Sequence, residues 1–248
     1  MPRYGALRDQ QDIRDLHLAT LGLHIPILPP MIDYRPSAPP IVDQGNLGSC
    51  TANAIPHGAV LAHALKGTSV AEYPRSRLWL YWNERWMEHA VKQDVGAMPR
   101  DGLRILRKVG VPDEQDWPYD VTKFAVHPPE LLQDAANCKI GSFYRCHGML
   151  ELKQALVAKH PVVMGFSVPQ SFEGPDVAQT GVMPMPAPDE PTVGGHCVCV
   201  DGYDDAQGAL IIANSWSTGW GDQGYFYMPY DFVNPKLGYV WDLWAVVV

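Results

Sequence analysis

The sequence predicts an α+β protein of two lobes, a helical one followed by one built on a sheet or small barrel. Three observations carry that expectation. Up to about residue 135, apolar residues recur with the period of helices that bury one face. After Ala136 the chain turns to short β-branched or aromatic runs, PVVMGFSV, HCVCVDGY, LIIANSW and GYFYMP, parted by Gly and Asp turns. With 46% hydrophobic and 19% charged residues over 248 positions, the chain is well cored rather than disordered.

Taken in order, residues 1–30 read as an extension that ends in the proline-rich IPILPP, with a short helix from Asp9 to Ala19 that sets Ile13 and Leu16 on one face. Pro36, Pro39 and Pro40 then keep the chain extended as far as Gln44. A helix from Ser49 to about Leu65 stops at Gly67. Pro56 lies inside it and lacks a backbone donor, which predicts a kink or a later regular start. A second helix, Ser76 to about Ala90, carries Leu78, Trp79, Trp82 and Trp86 on a broad apolar face. A third runs from about Arg100 to Val109 and is ended by Gly110. A fourth, over Leu150 to Lys159, interrupts the strands. The expected division is therefore an extension over 1–30 and one domain over 31–248, with a helical lobe over about 45–135 and a β lobe over about 136–248.

The formal charge of −8 is unevenly spread. Residues 1–148 hold 16 basic and 16 acidic side chains, whereas residues 149–248 hold 3 and 11. No basic patch stands out, so nucleic acid is excluded as an expected partner, and an acidic second lobe favours cationic substrates. No stretch is long and apolar enough to cross a membrane. The start, MPRYGALRDQQDIRDLH, lacks the apolar core of a signal peptide, which leaves the cytoplasm, a leader already lost, or export by another route. The five cysteines are too few for a disulfide scaffold. Cys197 and Cys199 read as reduced core residues, and a bridge between Cys138 and Cys146 across a hairpin is left open. Cys138, Cys146 and His147 lack the paired spacing of a zinc site, and neither a metal nor a cofactor is expected.

Chemistry is concentrated in three short stretches: DQGNLGSC with Gln44 and Cys50, GGHC with His196, and IIANSWSTGWG with Asn214. A thiol attacks as thiolate, an imidazole holds its proton, and a third polar group orients the imidazole. A side-chain amide just upstream stabilises the oxyanion formed when a carbonyl is attacked. Cys50 opens its helix, where free amides and the partial positive charge of the helix terminus favour thiolate.

These residues resemble the papain-like cysteine proteases. The family pattern is met by Gln44-Gly45, by Gly48-Ser49-Cys50, by His196, and by the run from Asn214 to Gly221. The resemblance extends from about Ile32 to the C-terminus, and GSCTANA is similar to the bacterial branch. It departs at Leu47, where the family usually has a cysteine, and at Ser217, where it has glycine. The resemblance implies an antiparallel β lobe, a cleft between the lobes, and a monomer that hydrolyses polypeptides through a Cys50 thioester. His196 would be base and then acid, Asn214 would fix its tautomer under Trp216, and Gln44 with the Cys50 amide would form the oxyanion hole. It also implies substrate contacts at Gly96, Ala97 and Met98, and at Gly165, Gly195 and Cys197, with Val193 nearby, these lining an apolar pocket for the second residue before the scissile bond. The extension occupies the place of an inhibitory propeptide, which predicts that IPILPP lies along the cleft. Two other readings use the same residues: a Cys-His acyltransferase or deamidase, and a catalytically idle binding module.

Overall fold

The computed structural model describes residues 4–23, 25, 27–68, 74–129 and 138–248. Three helices come first: α1 (Cys50–Lys66), α2 (Arg77–Met87) and α3 (Pro99–Lys108). A short strand β1 (Met31–Asp33) precedes them. The second half contributes β2 (Ser142–Arg145), α4 (Gly148–Val157), β3 (Val162–Pro169), α5 (Pro175–Thr180), β4 (Thr192–Asp204), β5 (Ala209–Ala213), β6 (Tyr225–Pro229) and β7 (Val240–Val247). The strands form one antiparallel sheet of order β2-β7-β3-β4-β5-β6, with β1 added to the far end of β4.

Local chemistry accounts for the helices. The Ser76 hydroxyl caps α2 by accepting from the Trp79 amide at 3.3 Å. Pro99 stands at the first position of α3, where no donor is needed. Helix α1 runs unbroken through Pro56 and ends on Gly67 at φ 69°, so the later regular start does not occur. Trp79 and Trp82 are buried as expected, but Trp86 is 60% exposed, because α2 turns it away from the helical core.

Two apolar clusters lie on the two faces of the sheet. One gathers α1, α2 and α3 with Trp244 and Val246 of β7. The other fills the sheet's opposite face with Phe166, Phe172, Phe226 and Phe232. Cys138 belongs to the first and Cys146 to the second. The hairpin that would join them does not form, since the intervening segment enters β2 and pairs with β7. All five cysteines are free thiols. Between the lobes, α1 packs on β4, and a buried pair, His57 Nε2 to Asp201 Oδ2 at 2.7 Å, ties them together.

The N-terminal segment departs most from expectation. No helix spans Asp9 to Ala19, and only Leu18–Leu21 forms a single 3-10 turn. Its backbone pairs elsewhere: Ala6 N–H to Gly195 O, Leu7 N–H to Ala97 O, and Leu16 O with Arg145 N–H. Ile13 is fully exposed as a result. Of the proline-rich tail, Pro26 lies outside the described residues, and Pro29 and Pro30 lie away from the cleft, Pro29 O accepting from the Tyr203 hydroxyl and Pro30 O from the Asp205 amide.

Candidate active site

Cys50 is the first residue of α1 and is fully buried. The backbone of Cys197, Gly5 and Thr51 favours the charged form of its sulfur. Ser49 before it is held by Asn53, whose Nδ2 donates to the Ser49 carbonyl at 2.9 Å, and by Tyr119, whose hydroxyl lies 2.5 Å from Ser49 Oγ. The helix start is thus fixed from both sides.

His196 lies on β4, fully buried, and its Nε2 donates to Asn214 Oδ1 at 2.8 Å. The Trp216 indole stacks on the imidazole with centroids 5.0 Å apart and an angle of 23°, and Phe166 closes from the side. Asn214 Oδ1 also accepts the Ser215 amide at 2.8 Å. The Ser215 hydroxyl in turn donates to Gln44 Oε1 at 2.6 Å, while Gln44 Nε2 donates to Leu47 O at 2.9 Å. One hydrogen-bonded line therefore runs from the imidazole through Asn214 and Ser215 to Gln44, linking the β lobe to the loop that leads into α1. The Ser215 hydroxyl was not singled out in the sequence, although its place beside Asn214 marked it.

A strap of residues 4–7 covers this group. Ala6 N–H donates to Gly195 O at 2.9 Å, Ala97 N–H to Gly5 O at 2.8 Å, and Leu7 N–H to Ala97 O at 2.9 Å. Both walls of the cleft thus hold the strap by its backbone. The approach is close: a Cβ on Gly5 would stand 1.9 Å from Gly48 O, and one on Gly195 would stand 2.2 Å from Ala6 O. Gly96 adopts φ 84° and lies as near to Gly5, so the paired backbone groups belong to its neighbour Ala97. Met98 is tied by its amide to Glu88 at 2.7 Å. Tyr4 packs edge-on to His196 and Trp216 at 5.8 and 5.9 Å. Its hydroxyl donates to Glu173 at 2.8 Å.

Burial sets the charge state under the strap. It pushes the Cys50 thiol up to about 12, against the backbone of Cys197, Gly5 and Thr51, with buried Glu84 adding to the rise. It holds His196 down to about 4, a shift that the Asn214 hydrogen bond opposes. Thiol and imidazole are therefore both neutral in the covered state. Cys199, three residues along β4 from His196, has its sulfur grouped with His57 and Asp201, and burial, then Asp201, raises its thiol well above the usual range.

The expected apolar pocket is bounded by a residue the sequence did not reveal. The Trp241 ring lies where a Cβ on Gly165 would be, 2.3 Å away, and also flanks Gly195. Its Nε1 donates to Ser167 Oγ at 3.2 Å. Cys197 sits directly behind Cys50, and Val193 is 40% exposed at the rim.

Comparisons with known proteins agree with this architecture. The family model described as papain family cysteine protease matches residues 28–235. A peptidase C1-like protein of Acanthamoeba polyphaga mimivirus is 36% identical over 93% of this chain and 82% of its own length. A cathepsin L-like proteinase of Fasciola hepatica is 25% identical, and the chain spans 60% of it. Among solved structures, xylellain, a cysteine protease from Xylella fastidiosa, superposes with a TM-score of 0.86 at 34% identity, over 99% of this chain and 96% of that one. Procathepsin B of Trypanosoma congolense, at 19% identity over 98% and 85% of the two chains and a TM-score of 0.73, shares the fold. Residues 4–7 precede the matched region, whereas Gln44, Cys50, His196 and Asn214 fall within it. The chain belongs to the papain family of cysteine proteases and is a hydrolase.

Proposed function

We propose that Cys50 attacks the peptide carbonyl and that residues 4–7 hold the enzyme inactive until they are displaced. In the open site, His196 takes the Cys50 proton. The resulting thiolate adds to the scissile carbonyl, and the oxyanion takes hydrogen bonds from the Gln44 amide and the Cys50 N–H. Collapse of this adduct breaks the C–N bond, with His196 delivering the proton to the departing amine. Water then hydrolyses the thioester by the reverse sequence, and His196 again acts as base. Asn214 keeps Nε2 protonated, so that Nδ1 is the nitrogen that exchanges the proton.

The observation that carries this reading is the line His196–Asn214–Ser215–Gln44, which joins both lobes beside the start of α1. In this reading the chain divides into an extension over 1–30 and a domain over 31–248, with lobes over about 45–135 and 136–248. Substrate residues ahead of the scissile bond would replace the strap on Ala97 and Gly195, reaching the wall formed by Gly96, Met98, Gly165 and Cys197. No feature favours acyl transfer or an idle module over hydrolysis.

An epoxysuccinyl peptide tests the assignment. It is expected to label Cys50 and to stop cleavage of a peptidyl-coumarin substrate, and Cys50→Ala is expected to lose turnover altogether. Turnover by Cys50→Ala at the wild-type rate would overturn the assignment.

A further inference from the structure

Beside the strap, on the Tyr4 side of Cys50, lies an open cavity of about 490 Å³ bounded by Tyr4, Asp43, Asn46, Glu173, Trp216 and Trp220. We infer that this cavity receives a cationic side chain, arginine or lysine, on the leaving-group side of the scissile bond.

The position follows from the strap. Gly5 packs against Gly48, two residues before Cys50, and the chain then goes two ways. Ala6 and Leu7 pair with Gly195 and Ala97, the wall read above as holding residues ahead of the scissile bond. Tyr4 lies in the opposite direction, against His196 and Trp216. A substrate that places its carbonyl at Cys50 must therefore send its departing half into the Tyr4 cavity. The inference rests on the proposed role of Cys50 and of that wall.

The chemistry follows from the lining. Trp216 and Trp220, set edge to face at 4.9 Å, supply an aromatic floor. Asp43 and Glu173 stand on the rim, both exposed, and no basic residue lines the cavity. Arg77, the basic group that reaches Asp43, does so at the backbone carbonyl and is already paired with Glu114. Tyr4 displays the mode of occupation: an apolar ring on His196 and Trp216, and a donor at its tip on Glu173. An arginine or lysine offers the same sequence of an apolar stem and a donor head, with a charge that both carboxylates and the indole faces attract. A glutamate would face two like charges across the same mouth.

The test uses the full chain carrying Gly5→Ala, whose added methyl collides with Gly48 O and unseats the strap. Internally quenched peptides differ only at the two positions after the cleaved bond, bearing Arg, Ala or Glu. The expected kcat/KM order is Arg, then Ala, then Glu, with Arg over Glu by about tenfold, and with the ratio shrinking at high salt. Glu173→Gln, and separately Asp43→Asn, should each move that ratio towards one. Binding of the Arg and Glu peptides to the Cys50→Ala, Gly5→Ala chain, followed by tryptophan fluorescence, should rank them in the same order. Equal rates and equal binding for the two peptides, or a ratio untouched by both carboxylate variants, would overturn the inference. Selective binding without any cleavage would leave the pocket standing and remove the peptidase assignment instead.

Discussion

The two arms of the N-terminal segment hold the protein in different ways. In the cleft arm, residues 5–7 are bound by backbone groups and by the absence of side chains at Gly5 and Gly195, and Tyr4 adds its ring and hydroxyl. The anchor arm, residues 9–15, is bound by charge. Asp9 accepts from the Trp244 indole and the Arg100 amide, its own amide donates to Asp242, and Arg145 spans Asp242 and Asp15. Arg100 pairs with Asp15, and Arg104 with Asp12. Backbone pairing accepts almost any short peptide, so the cleft arm can be exchanged for substrate. A buried charge lattice accepts one partner only, so the anchor keeps the displaced strap nearby.

The sharpest way to break this contrast is at Arg145. It faces three carboxylates, Asp9, Asp15 and Asp242, with a side chain only 16% exposed. Arg145→Met is expected to cost about 3 kcal/mol of stability by leaving buried acids unmatched. Denaturant unfolding checks it, and a loss below about 0.5 kcal/mol, the usual size of a surface substitution, would make the anchor a surface feature.

Gly5→Ala acts on the other arm. The new methyl should displace three backbone hydrogen bonds from the cleft and raise turnover of a small peptide by about 10- to 100-fold. A rate equal to wild type would mean that the strap does not block the site.

The smallest effect joins the two arms through pH. Burial, and then the neighbouring Asp242, raise Asp9 to about 7, while Trp244, the Arg100 amide and the Arg100 charge pull the other way. Asp242 is raised as well, chiefly by burial, against Arg145. The docked anchor therefore binds protons that a released one does not. Its hold is complete below the ordinary aspartate range near 4 and fades as pH rises through about 7. Wild-type activity divided by that of Gly5→Ala cancels the titration of the catalytic pair. The quotient should rise severalfold from pH 5 to 8 and become flat in Asp9→Asn.

Legibility in the sequence divided along the same line. Gln44, Cys50, His196 and Asn214 were readable because each sits in a local run with its own spacing, and α1 was readable from its Gly48-Ser49 approach and its Gly67 stop. The cleft arm was not, because residues 5–7 bind by backbone and leave no side-chain signature, and a lone Tyr4 carries no local pattern. The apparent helix from Asp9 to Ala19 gave way because those backbone groups find partners across the fold. The bond between Asp9 and Asp242 spans almost the whole chain, and no local pattern signals it. Trp241 was hidden for a similar reason: its role follows from the space left above Gly165 on a neighbouring strand.

Gln44 holds Ser215 with its carbonyl, and its amide is the group proposed to meet the oxyanion. One side chain thus reports on both lobes at once. A drift between them that breaks the contact with Ser215 also turns the amide away, so oxyanion support and imidazole alignment fail together. Such a joint works as a mechanical fuse. A partly opened molecule loses its cutting power as a unit, instead of persisting as a misaligned enzyme with relaxed selectivity.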